Sequence, residues 1–233
     1  MFGNSRAVSS NQSGIHEALE GVVRRHLHCP WQAPLADHDR RAFEQAREWL
    51  EKRGGQRPLW LDSGCGTGRS TVMLARRHPE ALVLGLDQSA SRLERGHGRF
   101  APLPDNVLLL RTDCAGFWRL AQTAGWRPER HYLLYPNPWP KSAHLKRRWH
   151  GHPVFPHLLA LGGTLLLRSN WQLYVQEMAA ALALAGYPAN VAGISIDDDG
   201  PAAALTDFEE KYARSGHPLW QLTAGLDTRS GAQ

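Results

Sequence analysis

The chain has 233 residues, 42% of them apolar and 21% charged, which suits a single domain with a sizeable core and leaves no apolar run long enough to span a membrane. Three cysteines, Cys29, Cys65 and Cys114, are too few and too scattered for a disulfide framework or paired metal ligands, and the polar N-terminus lacks a signal-peptide core, so a reducing cytoplasm is expected. With 27 Lys plus Arg against 22 Asp plus Glu, the net charge of +5 permits a polyanionic partner without requiring one.

Residues 1–14 are rich in Ser, Asn and Gly and predict a disordered arm. Residues 15–57 read as a helical extension, with helices over Ile15–Leu27 and Asp39–Lys52; in the second, Ala42, Phe43, Ala46, Trp49 and Leu50 recur at helical spacing. Gly54 and Gly55 stop it. From residue 58 to 233, short apolar runs alternate with helical stretches. Leu59–Leu61, Leu82–Leu86, Val107–Leu110, Tyr132–Tyr135 and Thr164–Leu167 read as strands, and their continuous apolarity fits a parallel sheet covered on both faces. Ser70–Arg77, Ala90–Gly96, Gly116–Thr123 and Trp171–Leu184 read as the intervening helices, the last placing Trp171, Tyr174, Val175, Met178 and Leu182 on one face. An acidic, Ala-rich loop at Asp197–Ala204 separates two weaker strand candidates, Val191–Ile196 and Leu219–Thr223. The sum is a doubly wound α/β fold, mostly parallel, with helices on both faces.

The first strand runs into Asp62-Ser63-Gly64-Cys65-Gly66-Thr67-Gly68. Alternate glycines let backbone approach a ligand closely. The dinucleotide fingerprint needs a third glycine where Arg69 stands, and no Gly-Lys-Ser/Thr follows to make a P-loop. The segment resembles instead the acidic-x-Gly-x-Gly-x-Gly loop of Rossmann-like, class I S-adenosylmethionine-dependent methyltransferases, which implies that Asp62, Gly64, Gly66 and Gly68 hold the methionine moiety of that cofactor. Asp87 ends the second strand, where such sheets bind ribose hydroxyls, and Asp113 ends the third, where the resemblance implies a contact with the adenine amino group. Read singly, each Asp could equally cap the helix that follows it; three in register beside the glycine loop favour the cofactor.

Strand four leads into Tyr135-Pro136-Asn137-Pro138-Trp139-Pro140-Lys141 and then His144-Leu145-Lys146-Arg147-Arg148. This resembles the signature of the bacterial tRNA (guanine-N7-)-methyltransferase family, Pro-Asp-Pro-Trp-Pro-Lys followed by His-x-Lys-Arg-Arg. Leu161-Gly162-Gly163, Ser169-Asn170 with Tyr174, and Thr206-Asp207-Phe208-Glu209 resemble further motifs of that family, so the likeness spans about residues 58–223. It implies S-adenosylmethionine as cofactor and tRNA as partner. Asn137, the residue expected to carry catalysis, would border cofactor and base together with Lys141, while Asn170, Thr206 and Glu209 would contact the base. His144, Lys146, Arg147 and Arg148 would hold the RNA, a reading their charge supports independently, with Trp139 and Trp149 as stacking faces. His150, His152 and His157 lack a carboxylate or Cys partner in register, and no metal is expected. A monomer is favoured.

Two family aspartates are amides here, Asn137 and Asn170. Asn137-Pro138-Trp139 comes within one residue of the Asn/Asp-Pro-Pro-aromatic motif of methyltransferases that modify exocyclic amino groups. Methylation of an amino group or of another RNA, and a noncatalytic RNA-binding role, therefore stand beside guanine N7 methylation.

Overall fold

A computed structural model describes residues 4–53, 57–196 and 204–227. Two helices precede the sheet, α1 (Leu19–His28) and α2 (Asp37–Arg53). Then come β1 (Leu59–Ser63), α3 (Arg69–Arg77), β2 (Leu82–Asp87), α4 (Ala90–Phe100), β3 (Val107–Arg111), α5 (Cys114–Thr123) and β4 (Arg130–Leu134). After two short 3-10 turns follow α6 (Phe155–Ala160), β5 (Thr164–Ser169), α7 (Gln172–Leu184), β6 (Asn190–Ile194), α8 (Asp207–Arg214) and β7 (Leu219–Gly225). The expected acidic loop lies, except for Ala204, outside the described residues.

The seven strands form one sheet in the order β3-β2-β1-β4-β5-β7-β6. The first five are parallel, while β7 runs antiparallel between β5 and β6. The doubly wound α/β expectation is met. Every β2 residue is buried, which is why these strands read as unbroken apolar runs rather than alternating ones. Leu61, Leu84, Leu86 and Leu133 face one core, shared with α1, α2, α5, α6 and α7. Trp60, Val83, Leu109 and Tyr132 face a smaller core beneath α3 and α4. Chain order reverses between β1 and β4, so the crevice at the carboxyl ends of these strands is where a sheet of this kind takes its ligand.

Most element bounds shift by a few residues from expectation, α1 starting at Leu19 rather than Ile15, and three of the shifts have clear local reasons. β4 starts at Arg130, whose partners are Trp60 and Thr164; a charged first residue hides a strand from an apolar count. It stops at Leu134 because Tyr135 turns to φ 52°. α4 continues past Gly96 to Phe100, because a Cβ at Gly96 would lie 1.9 Å from the Thr67 carbonyl oxygen, so the glycine is there for close packing rather than termination.

Candidate active site

β1 delivers Asp62 and Ser63 to the crevice, and the turn after them needs left-handed backbone at Gly64, Gly66 and Gly68, with φ of 79°, 62° and 75°. Gly68 precedes the first turn of α3. The Asp62 carboxylate is buried; its Oδ2 accepts from the Ser70 hydroxyl at 2.5 Å and the Thr71 hydroxyl at 2.7 Å, while Oδ1 has no partner. Burial raises the Asp62 carboxyl to about 6, against the pull of those two hydroxyls. Asp87 holds the glycine turn, its Oδ2 accepting from Gly66 N–H at 2.9 Å and its Oδ1 from Ser89 N–H at 2.8 Å. Asp113 is exposed, and its Oδ1 caps α5 by accepting from Ala115 N–H at 2.8 Å. Asp113 therefore caps α5 from the short connection that follows β3.

The loop after β4 is strained at two non-glycine residues, Tyr135 and Trp139, with φ of 52° and 46°. Asn137 is exposed, and its Oδ1 accepts from Trp139 N–H at 3.3 Å. Lys141, Lys146 and Arg147 are exposed along the same loop; the Arg147 guanidinium lies 4.7 Å over the Trp139 ring, which His144 meets edge-on. Among the described residues, no three metal-ligating side chains converge.

Arg148 corrects the expectation of a phosphate contact. It is fully buried, pairs through Nη1 with Glu177, and donates to the carbonyls of Trp139 and Lys141. A guanidinium in that position fixes the loop from beneath and has no surface left for RNA. Glu209 departs from expectation in the same way. Its buried carboxylate accepts from Tyr135 Oη, Arg168 Nη1 and Leu205 N–H, and so anchors the strained residue after β4 instead of facing a base. Thr206 caps α8 by accepting from Glu209 N–H at 2.9 Å. Asn170 is half-buried with its amide 3.1 Å from His217 Nδ1. Trp149 packs on Trp118 at the edge of the core, with ring centroids 4.7 Å apart, and offers no free stacking face there.

The segment expected as a disordered arm crosses this site. Ser10 Oγ donates to the Pro140 carbonyl and Asn11 Oδ1 accepts from Ser142 N–H, while just beyond the arm His16 Nε2 meets the Ser142 hydroxyl at 3.0 Å. Gln12 bonds both Arg148 and Glu177, and His150 Nε2 lies 3.0 Å from the same carboxylate. These contacts of the described arm residues are side-chain hydrogen bonds rather than apolar burial, so composition carries no sign of them. Glu177 and Arg148 left one legible signal: Glu177 stands three residues after Tyr174 on the apolar face of α7, where an unpaired carboxylate is not tolerated.

A family described as "Putative methyltransferase" matches residues 56–222. The tRNA (guanine-N(7)-)-methyltransferase of Leifsonia xyli subsp. xyli is 32% identical over 178 residues, 72% of this chain and 76% of the relative. The chain belongs to the tRNA (guanine-N(7)-)-methyltransferase family. A second relative, the enzyme of that name from Neisseria meningitidis serogroup B, is 31% identical over 72% of each chain. Among solved structures, the 16S rRNA methyltransferase KamB superposes with a TM-score of 0.57 at 20% identity, covering 83% of this chain and 94% of that one, which supports the class I methyltransferase fold. As a member of the tRNA (guanine-N(7)-)-methyltransferase family, the chain is a methyltransferase whose α1 and α2 both lie ahead of the matched region.

The residues present fit S-adenosylmethionine on two observations. Asp62 Oδ1 is a buried acceptor with no donor, as a cofactor ammonium would supply. Around Gly64 and Gly66 the positions that side chains would occupy are open space. Because a cationic ligand favours the ionised carboxylate, cofactor affinity should fall as pH drops through about 6, the Asp62 value, and Asp62→Asn should flatten that dependence. Equilibrium dialysis of S-adenosylhomocysteine between pH 5 and 8 checks this; a wild-type affinity independent of pH refutes it.

Proposed function

We propose that the protein transfers a methyl group from S-adenosylmethionine to N7 of a guanine in tRNA. The observation that carries this reading is the conjunction, at one sheet end, of the glycine turn with its unpartnered Asp62 oxygen and the strained Pro136–Lys141 loop with exposed cations. Bound S-adenosylmethionine supplies an electrophilic methyl to guanine N7, whose in-plane lone pair carries no proton. The chain therefore has to align two reactants rather than provide a general base.

Asp62 and the turn at 64–68 hold the methionine end, Asp87 meets the ribose and Asp113 the adenine. Asn137 and Lys141 border the base, and the Asn137 amide retains one carbonyl acceptor where the family has a carboxylate. Asn170, whose amide nitrogen is held by His217, keeps its carbonyl oxygen for the base. Glu209 and Thr206 serve by holding Tyr135 and α8 in place. Lys146 and Arg147, with His144 and Trp139, form the RNA face.

Phosphate contacts release counterions, so removing Lys146 or Arg147 should each lower the slope of log affinity against log salt by about one, with little change in the nucleotide modified. Filter binding of tRNA at several salt concentrations measures that slope; an unchanged slope in both variants removes them from the interface. The direct test of the function is transfer of labelled methyl to unmodified tRNA, followed by digestion and mass spectrometry of nucleosides. N7-methylguanosine establishes the reading, an N-methylated amino group moves the chemistry to the exocyclic site, and absence of transfer by a protein that binds cofactor refutes methyl transfer to tRNA.

A further inference from the structure

The family match begins at residue 56, yet a carboxylate ahead of it is built into the site. Asp39, in the first turn of α2, is buried, and its Oδ1 accepts from Asp113 N–H at 2.8 Å and from the Thr112 hydroxyl at 2.7 Å; His38 Nε2 lies 3.2 Å from the same oxygen. A second observation shows how closely this group is fitted. A Cβ on Gly116 of α5 would lie 2.2 Å from Asp39 Oδ2, so the start of α5 has room for the carboxylate only because no side chain is there. One of the two contacts falls on the backbone of Asp113, which follows β3 by two residues and caps α5, and the other on the side chain of its neighbour Thr112. The Asp113 carboxylate has one oxygen occupied by the cap, and the direction of the other follows from backbone that Asp39 fixes.

We infer that Asp39 is a positioning residue for recognition of the adenine amino group, acting through Asp113 from outside the matched methyltransferase domain. The inference rests on the assignment of Asp113 to adenine under the proposed function. It requires no contact between Asp39 and ligand. A buried carboxylate shared by a backbone N–H and a hydroxyl is a stiff acceptor, and removing it frees the residue before α5 to rotate.

The experiment compares dissociation constants of the full-length protein for S-adenosylhomocysteine and for S-inosylhomocysteine, which replaces the adenine amino donor by a carbonyl. Their ratio reads amino-group recognition and is indifferent to a general loss of stability. Wild type should discriminate by about tenfold or more, as expected when a ligand lacks the donor for a charged acceptor. Asp113→Ala should collapse that ratio, Asp39→Ala should reduce it about fivefold, and the double variant should go no further than Asp113→Ala alone. Asp39→Asn keeps the size and one acceptor, serves where the alanine variant does not fold, and should reduce the ratio by about twofold. If Asp113→Ala collapses the ratio while both Asp39 variants retain it, the inference about Asp39 fails and the cofactor reading stands. If Asp113→Ala leaves the ratio unchanged, the assignment of Asp113 fails and the inference falls with it.

Discussion

Replacing Glu177 by alanine is expected to lower stability by about 3–5 kcal/mol, because it leaves the Arg148 guanidinium buried without its countercharge. Both side chains are fully buried, and the carboxylate also receives Gln12 Nε2 and His16 N–H. For a chain of this length that loss corresponds to a fall in melting temperature of roughly 10 °C. The pH dependence identifies the cause. Despite the opposing effect of burial, hydrogen bonds from His150, Gln12 and Arg148 hold the Glu177 carboxyl down at about 2, below its ordinary 4.5. A depressed acid contributes stability that is complete above 4.5 and disappears as pH falls toward 2, so wild type and Glu177→Ala should differ at pH 7 and converge in acid. Burial keeps the His150 value below its usual range, so that ring adds no compensating charge at neutral pH. Thermal melts in steps from pH 7 down to pH 2 check this; a gap that does not narrow over that range would assign the loss to packing. Methyl transfer should decline as well, since Arg148 fixes the carbonyls of Trp139 and Lys141.

Two glycines of α4 should respond in opposite directions. In Gly96→Ala the new methyl would sit 1.9 Å from the Thr67 carbonyl oxygen, a backbone atom that cannot rotate away. The helix or the glycine turn must move, and a loss of about 2–3 kcal/mol with at least a tenfold weaker hold on S-adenosylhomocysteine is expected. Gly98→Ala meets nothing within 4 Å on an exposed helix surface, so it should be neutral or stabilise by up to about 1 kcal/mol. Denaturant titration and calorimetric binding on the pair separate close packing from helix propensity. Equal behaviour of the two variants would show that α4 does not bear on the turn.

The fold was legible because its strands are buried on both sides and so announce themselves as apolar runs between glycines and aspartates. Asp62, Asp87 and Asp113 stand out as candidates because each lies at or just after the end of such a run. What escaped were residues whose meaning depends on distant parts of the chain. Arg148 looks, in sequence, like one more cation after Lys146 and Arg147, and only the approach of Glu177 from α7 turns it inward. Thr206 and Glu209 read as a substrate motif, whereas their geometry is a helix cap whose acid also takes Tyr135 and Arg168. Asp39 left a faint trace, a carboxylate three and four residues ahead of Ala42 and Phe43 on the buried face of α2. Its partner could not be read from that spacing, since Asp113 lies in another element.

The arm that crosses the β4 loop also has an order of assembly written into it. Ser5 N–H donates to Ser215 Oγ, and the Ser5 carbonyl oxygen lies 2.9 Å from His217 Nε2, contacts between residues 210 and 212 positions apart. The strands around the glycine turn, β1, β2 and β3, pair across 23 or 24 positions, far less than the arm spans, and can form while the chain is still emerging from the ribosome. The arm is made before the segments that bind it and has to wait for them. Such long-range closures are the slow steps of folding, so a newly synthesised chain should gain the ability to hold cofactor before it gains a fixed surface for RNA.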